Sequence, residues 1–174
     1  MAVTKITNTG VTGLTISSAG RVAMGNTTEI DMWFLPSNVT SDATITAWTR
    51  ANYTGYAKAG TGMTHNSGIF TFPSTGLYKV SFSFRLETNT SDTSFGCTLD
   101  LSTNTGSSFT TILGSFENRS SNSSAHIQAL LNITNISTHQ IRFVATGLAS
   151  GSKVFGDSSR HDTNIIFERI TDSQ

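Results

Sequence analysis

The chain has 174 residues, enough for one domain that buries a sizeable core without metal or disulfide support. Only 13% of it is charged, against roughly 25% in ordinary soluble domains, and 11 basic residues balance 11 acidic ones. That balance excludes a polyphosphate partner such as nucleic acid, which needs a basic face, and no stretch approaches membrane-span length. Ser, Thr, Asn and Gly take the place of Lys and Glu. The mix suits strands and turns, disfavours helices, and without net charge favours association over repulsion.

Residues 1–25 read differently from residues 26–174. Val3–Ile6, Gly13–Ile16 and Arg21–Met24 are short strand-like pieces separated by turns at Asn8-Thr9-Gly10 and Ala19-Gly20. Val11, Leu14, Ile16, Val22 and Met24 are too few to form a core and too apolar for a solvated linker. This segment is therefore expected to be an attachment arm that finds its burial on a partner. No heptad repeat is present, so no coiled-coil stalk is expected. The amino end carries no apolar stretch of signal-peptide length, so the chain is expected to be made and kept in a cytoplasm, or released by lysis.

Residues 29–35 form the first strand of the domain. Ile30, Met32 and Phe34 point one way, Trp33 and Leu35 the other. With apolar residues on both faces, both faces need cover, and a contact between subunits would supply it. These five residues are the expected trimer interface. Ala43–Thr49 is the next expected strand, followed by a Gly-rich loop from Tyr53 to Asn66. Tyr53, Tyr56 and Lys58 on that loop can stack against the rings of a glycan, or equally pack on a neighbouring subunit.

Ile69–Phe72 is a short strand, and Pro73-Ser74-Thr75-Gly76 a turn in which Pro fixes φ and Gly supplies a conformation that others avoid. From Tyr78 to Leu86 every second residue is large and apolar, with Lys79, Ser81, Ser83 and Arg85 between, so one face is buried and the other wet. Phe95–Ser102 follows with Cys97, Leu99 and Leu101 inward. Asn104-Thr105-Gly106 turns the chain, and Phe109–Phe116 returns. Ala125, Ile127, Ala129, Leu131 and Ile133 alternate along another strand, and 140–146 and 164–170 supply the last two. A loop over 147–161 joins those two. About eight to ten strands bounded by turn residues read as an all-β antiparallel sandwich of jelly-roll type.

Three segments carry a family resemblance. Phe70-x-Phe72-Pro73-x-x-Gly76-x-Tyr78-x-Val80 resembles the central motif of the C1q/TNF-like jelly rolls. Asn135–Phe143 is similar to a turn-and-strand of that family, and Asp162–Ile170 to its last strand. Together they span about Glu29 to Ile170. The opening, Thr12 to Met24, resembles the lead-in of many phage fibre and virion proteins. The resemblance implies a homotrimer of jelly rolls that binds other surfaces and, in phages, a virion surface protein.

No constellation for catalysis emerges. His65, His126, His139 and His161 are scattered without the spacing of a zinc site, and read as surface or loop residues. Asp92, Asp157, Asp162 and Glu168 read as solvated loop carboxylates without the Asp-x-Asp spacing of a calcium loop. Cys97, alone, reads as a small buried hydrophobe. The sequence thus leads to a non-enzymatic structural protein without cofactor or metal. It is expected in a virion, as a trimeric surface decoration or short fibre that contacts capsid or tail proteins through its N-terminal arm. The alternative is a module at a fibre tip that binds a host glycan or protein receptor. Membrane insertion is not expected.

Overall fold

The structure is a computed structural model and describes residues 14–16, 22–24, 29–88, 94–117 and 122–174. Among the described residues there are fourteen strands and no helix. In chain order they are β1 (Leu14–Ile16), β2 (Val22–Met24), β3 (Ile30–Phe34), β4 (Ala43–Thr44), β5 (Thr49–Arg50), β6 (Thr64–Asn66) and β7 (Ile69–Thr71). β8 (Gly76–Glu87), β9 (Phe95–Ser102), β10 (Thr110–Glu117), β11 (Ser123–Ile133), β12 (Gln140–Thr146), β13 (Lys153–Phe155) and β14 (Asn164–Thr171) complete the set.

Two six-stranded antiparallel sheets face each other. Sheet I runs β11-β8-β14-β3-β5, with β13 continuing the line of β14 beside β8. Sheet II runs β10-β9-β12-β7-β6, with β4 beside β12. The alternation that begins at Tyr78 governs the arrangement. Tyr78, Val80, Phe82, Phe84 and Leu86 are all essentially sealed from solvent, and the residues between them are half-buried. Phe82 meets Phe143 of the opposite sheet at 4.6 Å and Trp48 at 5.8 Å. Phe70 meets Phe143 at 6.0 Å and Phe167 at 5.1 Å. The edge-to-face Phe82–Phe143 pair and the tilted Phe70–Phe167 pair cross between the sheets and join them through the middle of the sandwich.

Several expectations are met. The strands over 30–34, 95–102, 123–133, 140–146 and 164–171 appear where the alternation places them. Others are corrected. The continuous strand expected over Ala43–Thr49 does not form. Ala43–Thr44 pairs with sheet II and Thr49–Arg50 with sheet I, so the chain crosses between sheets here while Ile45 and Trp48 fill the core. The loop expected up to Asn66 ends earlier, because β6 and β7 form a hairpin across Ser67-Gly68. Both turn residues have positive φ (50° and 89°), the geometry that matches strand twist in a two-residue turn. β13 interrupts the loop expected over 147–161 by pairing with the end of β8. In the arm, β1 and β2 pair antiparallel with Leu14 opposite Met24 and Ile16 opposite Val22. Val11 and the segment Val3–Ile6 lie outside the described residues.

Candidate association surface

The outer face of sheet I is laid out by strand register. One row across it reads Phe34, Asn164, Ser83, His126; the next Met32, Ile166, Ser81, Gln128; the third Ile30, Glu168, Lys79, Leu130. Directly paired residues on antiparallel strands share a face, so these twelve side chains form one surface. Ile30 (36% exposed), Ile166 (38%) and Leu130 (63%) stand open to solvent, and Met32 is half-buried. The polar members bond to each other: Gln128 Nε2 donates to Ser81 Oγ at 3.0 Å, and Ser83 Oγ lies 2.9 Å from His126 Nδ1. The charges in these rows are one pair, Lys79 Nζ to Glu168 Oε2 at 3.2 Å. An apolar strip beside self-satisfied neutral groups, low in charge, has the composition of an interface core.

Of the five residues expected at the interface, the structure divides the set. Ile30 and part of Met32 remain on the open face. Trp33 and Leu35 face this chain's own core, where Trp33 packs on Phe70 at 5.3 Å and donates from Nε1 to Asp31 at 2.9 Å. Phe34 points outward but is only 4% exposed, because the His161 ring stacks on it at 3.7 Å. The sequence missed Ile166 and Leu130 on this face, although both sit at outward positions of strands it identified.

His161 corrects a further expectation. It lies in a loop as read, but it is 5% exposed rather than a surface residue. Tyr53 and Tyr56 approach its ring edge-to-face at 4.9 and 5.6 Å. Its backbone has φ +55°, an unusual conformation for a non-Gly residue, and its Nε2 is buried without a hydrogen-bond partner. The loop that holds it is braced by Asp157, whose carboxylate accepts the Ser159 and Arg160 amides at 2.7 and 3.1 Å. The Ser159 N–H bond holds the Asp157 carboxyl below its usual range. Tyr53 donates its hydroxyl to the Ser158 carbonyl at 2.7 Å. The two tyrosines, each about half exposed, therefore stand on a braced base. Lys58 does not join them: its ammonium donates to the Gly60 carbonyl at 2.8 Å.

The carboxylates serve the fold. Asp162, read as a solvated loop acid, is half-buried and pairs with Arg85 at 3.0 Å and Arg160 at 3.4 Å; Glu168 is solvated as read but lies on β14 rather than in a loop, paired with Lys79. Asp92 lies outside the described residues. Buried Asp31 accepts bonds from Trp33, Arg50 and the Met63 amide, and buried Asp100 from Thr98, Thr111 and Arg142. These bonds satisfy the lone pairs of the two buried carboxylates and tie neighbouring segments together. Among the described residues, no group of three or more His, Cys, Asp or Glu side chains is arranged to hold a metal ion. Cys97 is fully buried, and burial pushes its thiol pKa far up.

No protein-family model matches the sequence, and no curated protein matches it. Solved structures do. Murine APRIL at pH 8.5 superposes with a TM-score of 0.61 at 13% identity, over 82% of this chain and 99% of that one. The Eiger TNF of S. frugiperda gives 0.65 at 15% identity, over 86% of this chain and 96% of that one. At such identities the likeness speaks for architecture alone, and the chain is a jelly roll of the TNF-like fold.

Proposed function

We propose that this chain is a non-enzymatic homotrimer that decorates the surface of a phage particle, as a capsid decoration or short fibre, held there by residues 1–25. The observation that carries self-association is the open apolar strip of Ile30, Met32 and Ile166 on sheet I, with Leu130 at the far end of the lowest row. A lone copy leaves that strip wet, and a closed threefold arrangement covers it without leaving an open surface for further growth. The virion setting is supported by the resemblance of Thr12–Met24 to phage lead-in segments and by the absence of net charge. Capsid or tail proteins are then the partners of the arm.

A second reading, a module that binds a host glycan or protein receptor at a fibre tip, is favoured by Tyr53 and Tyr56. Two half-exposed aromatic rings on a braced base are suited to stacking against a sugar. Deletion of residues 1–25 tests the first reading. The truncated chain should remain a folded trimer and no longer join particles. Incorporation at normal copy number would remove the arm as the anchor. Excess purified protein that blocks adsorption of the phage to its host would favour the second reading.

A further inference from the structure

Sheet II carries a groove of about 350 Å³ on its outer face, away from the association surface. Its floor is a row of paired residues, Thr64 of β6, Thr71 of β7 and Gln140 of β12, with Asn66 and Ile69 in the next row. Its wall is the turn between β9 and β10, at Thr105 and Gly106.

The wall is fixed before any ligand arrives. Ser102 Oγ accepts the Gly106 amide at 3.0 Å, Asn104 Oδ1 accepts the Ser108 amide at 3.0 Å, and the Thr105 amide donates to the Thr138 carbonyl at 3.1 Å. Thr105 and Gly106 both have positive φ, 63° and 76°, which turns the chain over the sheet. Preorganised walls lower the ordering cost of binding.

The lining is hydrogen-bonding and uncharged. The Gln140 side-chain amide, the Thr105 hydroxyl and Asn66 Nδ2 have no protein partner among the described residues. The Thr64 and Thr71 hydroxyls bond only each other. The imidazole of His65 accepts the Gly68 amide through Nε2 at 3.0 Å, so it stands there as a neutral ring. Arg142, outward in the same row as Ile69, is bound to Asp100 at 3.0 Å and lies under the Phe109 ring at 4.4 Å. An anion finds no free cation here, a cation finds no carboxylate in the lining, and an apolar ligand finds only Ile69. Several donors and acceptors around one small concavity match a molecule that presents many hydroxyls without charge.

We propose that this groove binds a neutral sugar. The inference goes beyond the assembly reading and does not depend on it, and it uses a different surface from Tyr53 and Tyr56. The test is saturation-transfer NMR on the full-length protein with glucose, galactose, mannose and N-acetylglucosamine, with glucuronate and an extended Thr/Val peptide as comparators. At least one neutral sugar should bind at millimolar concentration. Gln140→Met and Asn66→Ala should each weaken it about ten-fold, the loss expected for one good hydrogen bond to a ligand. Both variants should keep the wild-type melting temperature, and Asn66, being exposed, serves if Gln140→Met does not fold. Absence of binding by all four sugars would overturn the proposal. So would binding that survives both variants but is lost in Tyr53→Ala, or a peptide that binds where the sugars do not.

Discussion

Phe82→Ala probes the arrangement of the sandwich at its centre. The ring is fully buried, lies on β8 of sheet I, and touches Phe84 at 4.8 Å beside its contacts with Phe143 and Trp48. Truncation removes the apolar transfer term and leaves a cavity between two sheets whose backbones are pinned by hydrogen bonds on either side. Such sites cost about 3–5 kcal/mol. For a domain of this size each kcal/mol moves the melting temperature by about 2–4 °C, so a fall of about 6–20 °C is expected. Differential scanning calorimetry at one fixed protein concentration measures it, since association would otherwise shift the midpoint. Phe116→Ala is the control: that ring is 51% exposed and should change stability by no more than about 0.5 kcal/mol. If Phe82→Ala melts with the wild type, the inward face of β8 is assigned wrongly, and with it the pairing of the two sheets.

Three other outcomes follow from the same structure. Burial raises the Cys97 thiol, so the native protein should resist iodoacetamide at pH 8 and react fully in denaturant; rapid labelling of native protein would show that β9 is open. Burial lowers the pKa of His65, so the unfolded chain takes up the proton first as pH falls. Its contribution is therefore complete above the unfolded value near 6.5 and declines as pH falls from there toward the lower folded pKa. His65→Gln should flatten the melting temperature between pH 7.5 and about 5.5 relative to wild type, and an unchanged slope would place the titration elsewhere. EDTA should leave melting temperature and mass unaltered; a marked drop would mean that carboxylates converge on an ion.

Strands with strict alternation on a half-buried face were legible because burial writes a period of two into the sequence. β8, β11 and β12 are of this kind. β6 and β13 were not, since three-residue strands at the margin of a sheet have too few positions for a period to show. Ala43–Thr49 reads as one strand because Ala43, Ile45 and Ala47 alternate with threonines; yet Ile45 and Trp48, three apart, both enter the core, which one strand cannot do and a segment that changes sheets can. The association face was half legible. Ile30 and Met32 could be read from β3, whereas the neighbours Ile166 and Leu130 join them only through register between strands far apart in sequence. His161 carried no signal at all. Its burial comes from Phe34 of β3 and from Tyr53 and Tyr56 of the loop after β5, two segments far from it in sequence.

The proposed assembly stands or falls on whether copies of this chain associate through the outer face of sheet I. Sedimentation equilibrium at micromolar concentration tests it, on the wild type and on the double variant Ile30→Asp, Ile166→Asp. Both positions are open in the single chain, so the substitutions should leave the fold intact while placing charge on the face. The expected wild-type mass is about 56 kDa, three times the 18.6 kDa chain, and the variant is expected as a folded monomer. A wild type that sediments as an 18.6 kDa monomer, or a double variant that stays trimeric, would contradict it.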